Sequence, residues 1–346
     1  MKKKIDKNKL IESGYECISY EAPSNIALIK YWGKVSGQIP MNPSISYTLS
    51  ECKTTFFLYF KKTETSIENE FFFDGIYAPD FSSKSFKLIE LIKKDFQQLG
   101  SYHLVLDSSN SFPHSSGIAS SASSMCALSF CVLHLLGKSD DLNLVSHYAR
   151  LGSGSAARSV YGGIVSWGEH SCIKNSSNQY AKEFNDHVHP EMKKICDTVV
   201  LVHDGVKEVS STVGHALMTD HSFREQRISN AKKRFTKLVK AIQEGDFSSW
   251  GEIIESEALE LHAMMMTSSS SYLLMKPRTL EVIETVRRLR KKYSLDLFFT
   301  LDAGPNVHLL YPEKQKEIIL ELIEKHITDL HFIHDRVGSG PRNLLC

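Results

Sequence analysis

The sequence predicts a chain that mixes strands and helices in about two domains, and three observations lead there. Its 346 residues, 42% of them hydrophobic, support a large core and favour more than one domain. The first half alternates extended apolar runs with turns. The second half is dominated by segments of helical spacing, with short apolar runs between them. A boundary is expected near residue 198, giving segments 1–198 and 199–346.

Taken in order, residues 52–60 and the Phe71-Phe72-Phe73 run read as sheet, with Asp74-Gly75 as a turn. Residues 86–99 have helical spacing, with Gly100 as the stop. Residues 103–106 read as a strand and 108–116 as a polar, Ser-rich loop. Helices are expected at 119–136 and 142–151, then a small-residue loop at 152–157. Residues 199–203 read as a buried strand. Amphipathic helices follow at 227–244, 250–266, 280–293 and 315–327. The cationic stretch Arg287 to Lys292 is read as a solvated helix end. Between the last two helices, the apolar run 297–301 leads straight into Asp302.

Charge and cysteines exclude several classes. Lys+Arg is 41 and Asp+Glu 40, a net charge of +1, which gives no global attraction to nucleic acid or membrane. Lys2-Lys3-Lys4 is read as a solvated tail. Seven cysteines without a Cys-x-x-Cys pair suggest a reduced protein with packed thiols, not a disulfide framework or zinc site. No apolar signal core follows the N-terminal lysines, and no run approaches the roughly 18 apolar residues of a membrane span. The expectation is a soluble, cytoplasmic chain. His187 and His189, like His331 and His334, lack a third ligand at useful spacing and are read as loop or packing residues.

Four segments carry chemistry. Asp302-Ala303-Gly304-Pro305-Asn306 holds a carboxylate at a strand end before a Gly-Pro turn, a place for a general base. Phe112-Pro113-His114-Ser115-Ser116-Gly117-Ile118-Ala119-Ser120-Ser121-Ala122 is a small-residue loop feeding a helix. The free N–H groups of a helix start favour an anion, and Ser120 and Ser121 add hydroxyls for phosphate or magnesium. It is neither a Walker loop nor a dinucleotide Gly-x-Gly-x-x-Gly. Asn25-Ile26-Ala27-Leu28-Ile29-Lys30-Tyr31-Trp32-Gly33-Lys34 is an apolar strand ending in two lysines and a tyrosine, suited to a phosphorylated substrate. Gly152-Ser153-Gly154-Ser155-Ala156-Ala157-Arg158 sets two hydroxyls and a bidentate guanidinium after glycines.

Together these segments resemble the galactokinase, homoserine kinase, mevalonate kinase and phosphomevalonate kinase superfamily, and within it the diphosphomevalonate decarboxylase branch. The likeness runs from about residue 20 to about 342. It implies an α+β fold in two domains: an N-terminal ribosomal protein S5 domain 2-like unit and a C-terminal ferredoxin-like sandwich, with the site in the cleft. It implies ATP-dependent decarboxylation of mevalonate 5-diphosphate to isopentenyl diphosphate through a 3-phosphorylated intermediate, with Mg2+, and a homodimer. Asp302 would orient or deprotonate the C3 hydroxyl, Lys30 would sit near the transferring phosphoryl, and Arg158, supported by Asn25, would hold the carboxylate. Tyr31, Lys34, Ser153, Ser155 and Ser211 would hold the diphosphate. Asn110, Pro113, Gly117, Ser120 and Ser121 would face ATP, with Ser121 also a magnesium contact. The chain departs from the family at Met264 to Tyr272, where others have a Phe-Pro-Pro-rich segment, and at Thr212, where some bacterial members have Arg. A phosphomevalonate decarboxylase, a mevalonate 3-kinase and a non-catalytic nucleotide-binding relative stay open as alternatives.

Overall fold

The computed structural model describes residues 3–65, 67–113, 118–185, 187–203 and 211–346. In the N-terminal part come α1 (Lys7–Glu12), β1 (Glu16–Ile29), β2 (Ser44–Lys62), β3 (Glu70–Phe73), β4 (Ile76–Tyr77), α2 (Ser83–Asp95), β5 (Tyr102–Asn110), α3 (Ser120–Leu135), α4 (Leu142–Gly152), β6 (Ile164–Trp167) and β7 (Lys182–Glu183). The C-terminal part follows with β8 (Ile195–Leu201), α5 (Ser211–Ala216), α6 (Arg224–Glu244), α7 (Phe247–Met266), α8 (Pro277–Tyr293), β9 (Phe298–Thr300), β10 (Val307–Pro312), α9 (Lys316–His326), β11 (His331–Arg336) and β12 (Arg342–Leu344).

The first sheet runs β12-β1-β2-β5-β3-β4, with β6 and then β7 branching from β2. Strand β2 is long enough to serve two partners, β6 along Ser44 to Tyr47 and β5 along Thr54 to Lys62. Leu88, Cys126, Leu128 and Val132 of α2 and α3 cover the sheet with Phe56, Leu58 and Leu106. The second sheet, β11-β8-β10-β9, is wholly antiparallel. Helices α8 and α9 close on it through Val282, Val286 and Ile323 against Phe299 and Leu309. Helix α7 lies so near β9 that a Cβ at Gly251 would meet the Phe298 ring at 2.0 Å.

The seam between the parts is itself a core. Ile26, Tyr47 and Leu49 of the first sheet cluster with Val199, Phe235, Trp250 and Phe298. Asp335 spans it as well, accepting the Ser50, Glu51 and Cys52 N–H groups at 2.7, 2.9 and 2.8 Å. A carboxylate taking three backbone donors ties the two parts by hydrogen bonds as well as by apolar packing.

Several expectations need correction. Ser108 and Ser109 are strand, not loop, because β5 keeps its ladder to Phe56 and Thr55 up to Asn110. Helix α2 ends at Asp95, capped by Phe96, before Gly100, which lies in a 3-10 turn. Strand β2 begins at Ser44, ahead of the expected Cys52; Ser44, Ser46 and Thr48 alternate with the core residues Ile45, Tyr47 and Leu49, and both faces are buried. Helices α6, α7 and α8 start three residues before their apolar periodicity: Asp246 caps α7 and Pro277 opens α8. Arg290 is no solvated end: it forks onto Glu255 at 3.0 and 3.1 Å. Lys3 is not a free tail, since it pairs with Glu70, and Lys7 reaches Asp107 at 3.0 Å. Cysteine pairing was also misread. Cys17 and Cys346 form a disulfide, because β12 brings the last residue alongside β1. The remaining five thiols are free, and all but Cys172 are buried.

Candidate active site

β1 delivers Lys30 to the seam, and the loop after β9 delivers Asp302 opposite it. Lys30 Nζ lies 2.8 Å from Asp302 Oδ1. The lysine is 2% exposed and the carboxylate 25%, so the pair is reached from the cleft through its acid side. The Gly304 N–H closes the turn on Asp302 O at 2.8 Å, as the Gly-Pro signal suggested.

Arg158 is fully buried beside this pair, in the 3-10 segment Gly154–Val160. Its Nη1 donates to Ser44 Oγ at 2.7 Å, Nε to Ser46 Oγ at 3.0 Å and Nη2 to Asn25 Oδ1 at 3.2 Å. Asn25 is held in turn, donating to Ser159 Oγ at 2.9 Å and Ser155 O at 3.2 Å. Three neutral acceptors fix the guanidinium plane without neutralising it. Burial pushes Arg158 down to about 10, with the Asp302 charge opposing the shift. It therefore stays cationic at neutral pH and faces a cavity of about 190 Å³ shared with Lys30 and Asp302.

Tyr31, Lys34, Ser121, Ser153 and Ser155 line the same cavity. Gly154 allows the wall to close: a Cβ there would meet Tyr31 Cε1 at 2.5 Å. Lys34 Nζ donates to Gln38 Oε1 at 2.8 Å, and burial together with Lys84 and Lys87 lowers its pKa. Tyr31 packs against Trp167 and His215, with ring centroids 4.7 and 4.4 Å away. Burial and Lys34 push His215 down to about 3, so it is neutral, and its Nδ1 accepts the Gly33 N–H at 3.0 Å. Ser211 opens α5; its side chain lies outside the described residues.

A second cavity, of about 440 Å³, joins the first at Ser121 and Lys84. Asn110 and Ser120 line it, with Phe71, Phe73 and Phe81 as its apolar wall. Ala119 takes a left-handed φ of 42° ahead of α3, and among the described residues no side chain caps the helix start. The Ala122 N–H closes on Ala119 O at 2.7 Å, and the Ser120 and Ser121 N–H groups ahead of it suit an anion. Ser121 Oγ sits 3.2 Å from Ser153 Oγ, joining this loop to the first cavity. Pro113 is exposed and borders neither cavity. Gly117 lies outside the described residues.

Sequence reasoning missed Ser44, Ser46, Gln38, Lys84, His215 and Glu257. Ser44 and Ser46 lay in the 42–50 stretch that resembles the family, and Glu257 stood out as an acid on an otherwise apolar face of α7 beside Ile254, Ala258 and Leu261. Met264 and Met265 pack with Trp32 and Leu261, while Met266 is exposed, so the segment that replaces the Phe-Pro-Pro stretch begins as packing.

Comparisons with known proteins agree along most of the chain. Residues 22–179 match the diphosphomevalonate decarboxylase-like N-terminal domain, and residues 198–344 the mevalonate 5-diphosphate decarboxylase C-terminal domain. A diphosphomevalonate decarboxylase of Gibberella zeae is 30% identical over 87% of this chain and 82% of its own length. One of Candida albicans is 29% identical over 89% of this chain and 88% of its own. A structure solved with MVAPP, AMPPCP and magnesium superposes with a TM-score of 0.84 at 29% identity, covering 96% of this chain and all of that one. With the cleft's cations, carboxylate and uncapped helix start, these likenesses place the chain in the diphosphomevalonate decarboxylase family.

Proposed function

We propose that this enzyme uses ATP to phosphorylate the tertiary C3 hydroxyl of mevalonate 5-diphosphate and then releases phosphate and carbon dioxide, giving isopentenyl diphosphate and ADP. The observation that carries this reading is the Lys30–Asp302 pair, 2.8 Å apart in one cavity with the Arg158 guanidinium. A tertiary alcohol is a poor acid, and Asp302 is the carboxylate in that cavity able to orient it and take its proton. Lys30, against the same carboxylate, supplies positive charge where the phosphoryl group arrives. Arg158, neutral-cradled and cationic, holds the carboxylate that departs as carbon dioxide. Asp302, once the phosphate has left, faces the positive charge developing at C3.

Tyr31, Lys34, Ser153, Ser155 and Ser211 are assigned to the diphosphate. The aromatic-walled second cavity suits the nucleoside, with Asn110, Ser120 and Ser121 along it and the α3 start for the phosphates. Pro113 and Gly117 are assigned to the nucleotide side of the same loop. Among the described residues no three His, Cys, Asp or Glu side chains cluster as metal ligands. That fits Mg2+, which keeps its waters and binds chiefly to substrate phosphates, with the Ser121 hydroxyl as its protein contact. Bound there, it would neutralise charge on the phosphate oxygens.

The test is to incubate purified protein with ATP, Mg2+ and mevalonate 5-diphosphate and follow ADP and isopentenyl diphosphate by mass spectrometry. Equal amounts of both are expected. ADP with a stable 3-phosphorylated product would mean a kinase that stops halfway. Turnover of the monophosphate alone would move the substrate assignment.

A further inference from the structure

Helix α7 passes directly behind the Lys30–Asp302 pair, and two of its side chains hold the pair by its backbone. Glu257 Oε1 accepts the Lys30 N–H at 2.9 Å. His262 Nε2 lies 3.1 Å from Asp302 O, which can only accept, so the ring donates. Burial pushes His262 down to about 4, against the hydrogen bond to Asp302, and leaves it neutral with its proton available on Nε2.

Glu257 is clamped in its turn. It has no exposed side-chain surface, pairs with Arg227, and accepts from Arg234 Nη1 at 3.0 Å. Burial alone would raise its carboxyl, but Arg227, their hydrogen bond and the Lys30 N–H outweigh it and hold the group below the ordinary carboxylate range. Arg227 Nη2 also reaches Lys30 O at 3.4 Å, where Asn42 Nδ2 donates at 3.0 Å. Both backbone polar groups of Lys30 are therefore fixed by side chains. A buried ion pair is a poor source of stability, since desolvating two charges offsets most of their attraction. Its place, on the peptide of the cavity's lysine, points to geometry instead.

We infer that Glu257 and His262 are positioning residues, and that one helix sets the spacing of Lys30 and Asp302 across the seam. Lys30 belongs to the first sheet and Asp302 to the second, so neither part alone fixes the distance between them. Five residues along a rigid helix span about 7.5 Å, a fixed gauge between the two anchor points. The inference rests on the reading of the pair as the reacting centre.

The test compares His262→Phe, which keeps the volume and loses the donor, with His262→Gln, which keeps an N–H. Glu257→Asp is added because it keeps the charge facing Arg227 but withdraws the oxygen from the Lys30 N–H. All are assayed for ADP and isopentenyl diphosphate, with KM for both substrates and the thermal midpoint. H262F and E257D should lose between about tenfold and a hundredfold in kcat with KM within about twofold, as a misplacement near 1 Å does. H262Q should recover most of the H262F loss. Unchanged kcat in a folded H262F or E257D overturns the inference. So does a loss confined to KM, or no recovery in H262Q. If either H262F or E257D fails to fold, the other decides; if both fail, the contacts are structural and the inference falls. A wild-type protein that turns over neither substrate would instead overturn the functional reading.

Discussion

Arg158 and Lys30 are two buried cations in one cavity, held in opposite ways. Arg158 is gripped by three neutral oxygens, all from its own part of the molecule. Lys30 meets a carboxylate from the other part, while its backbone is steadied by α7. The difference teaches what each charge is ready for. A cation in a neutral cradle keeps its full attraction for an incoming anion, whereas a cation already paired offers orientation and a route for charge once the substrate arrives. On the proposed function, one end of the cavity attracts and the other reacts.

The strongest way to break this comparison is to remove the acid of the pair. Asp302→Asn should cut turnover by roughly a thousandfold while ATP affinity stays within about twofold, the span expected for losing a general base. Steady-state rates with nucleotide titration check it, and a smaller loss with weakened ATP binding would put Asp302 on the binding side. Arg158→Lys keeps the charge but loses the fork. It should lower kcat/KM by between about tenfold and a hundredfold, mostly through the carboxylated substrate's KM. An equal effect on the KM for ATP would contradict the assignment of its partner.

Acid separates the two ends by stability. Arg158's cradle contains no titrating side chain, whereas His262 backs Asp302 and His215 backs Tyr31. Both histidines are pushed below their ordinary 6.5 by burial, to about 4 and about 3. Below pH 6.5 the unfolded chain takes up protons that the folded one refuses. Stability should therefore fall with pH, by about 1.4 kcal/mol per unit per histidine down to about pH 4. Denaturant midpoints at pH 7, 6 and 5 test the slope, which H262Q should reduce by one proton. The smallest effect is expected from Ser46→Ala, which removes one of the three acceptors. A drop of about threefold to tenfold in kcat/KM, with the fold intact, would sharpen the picture of a shared cradle. No change would mean that Ser44 and Asn25 suffice.

Which parts were legible follows from these two grips. The four residues at the two ends, Asn25, Lys30, Arg158 and Asp302, lay inside ordered motifs, and the long helices announced themselves by period. Of the side chains that hold them, Glu257 lay in no such motif, and nothing local paired Ser46 with its arginine. Glu257 meets Lys30 across 227 positions, and Ser46 meets Arg158 across 112, so no local spacing reports either contact. The start of β2 did carry a period-two pattern: its hydroxyls serve the arginine while Ile45, Tyr47 and Leu49 enter the core. The Cys17–Cys346 bond spans 329 positions and depends on a three-residue strand at the very end of the chain. Counting cysteines and looking for close pairs could not find it.

That last strand has a mechanical consequence. β7 and β12 both belong to the first sheet, yet all of the second sheet lies between them along the chain. The second part is thus an insertion fastened at two places, with the disulfide locking the return strand to β1. Between those places the shared core, the Asp335 carboxylate and α7 hold it along the seam, so it is clamped along its length. Asp302 is thereby kept 2.8 Å from Lys30 by a frame that the return strand closes.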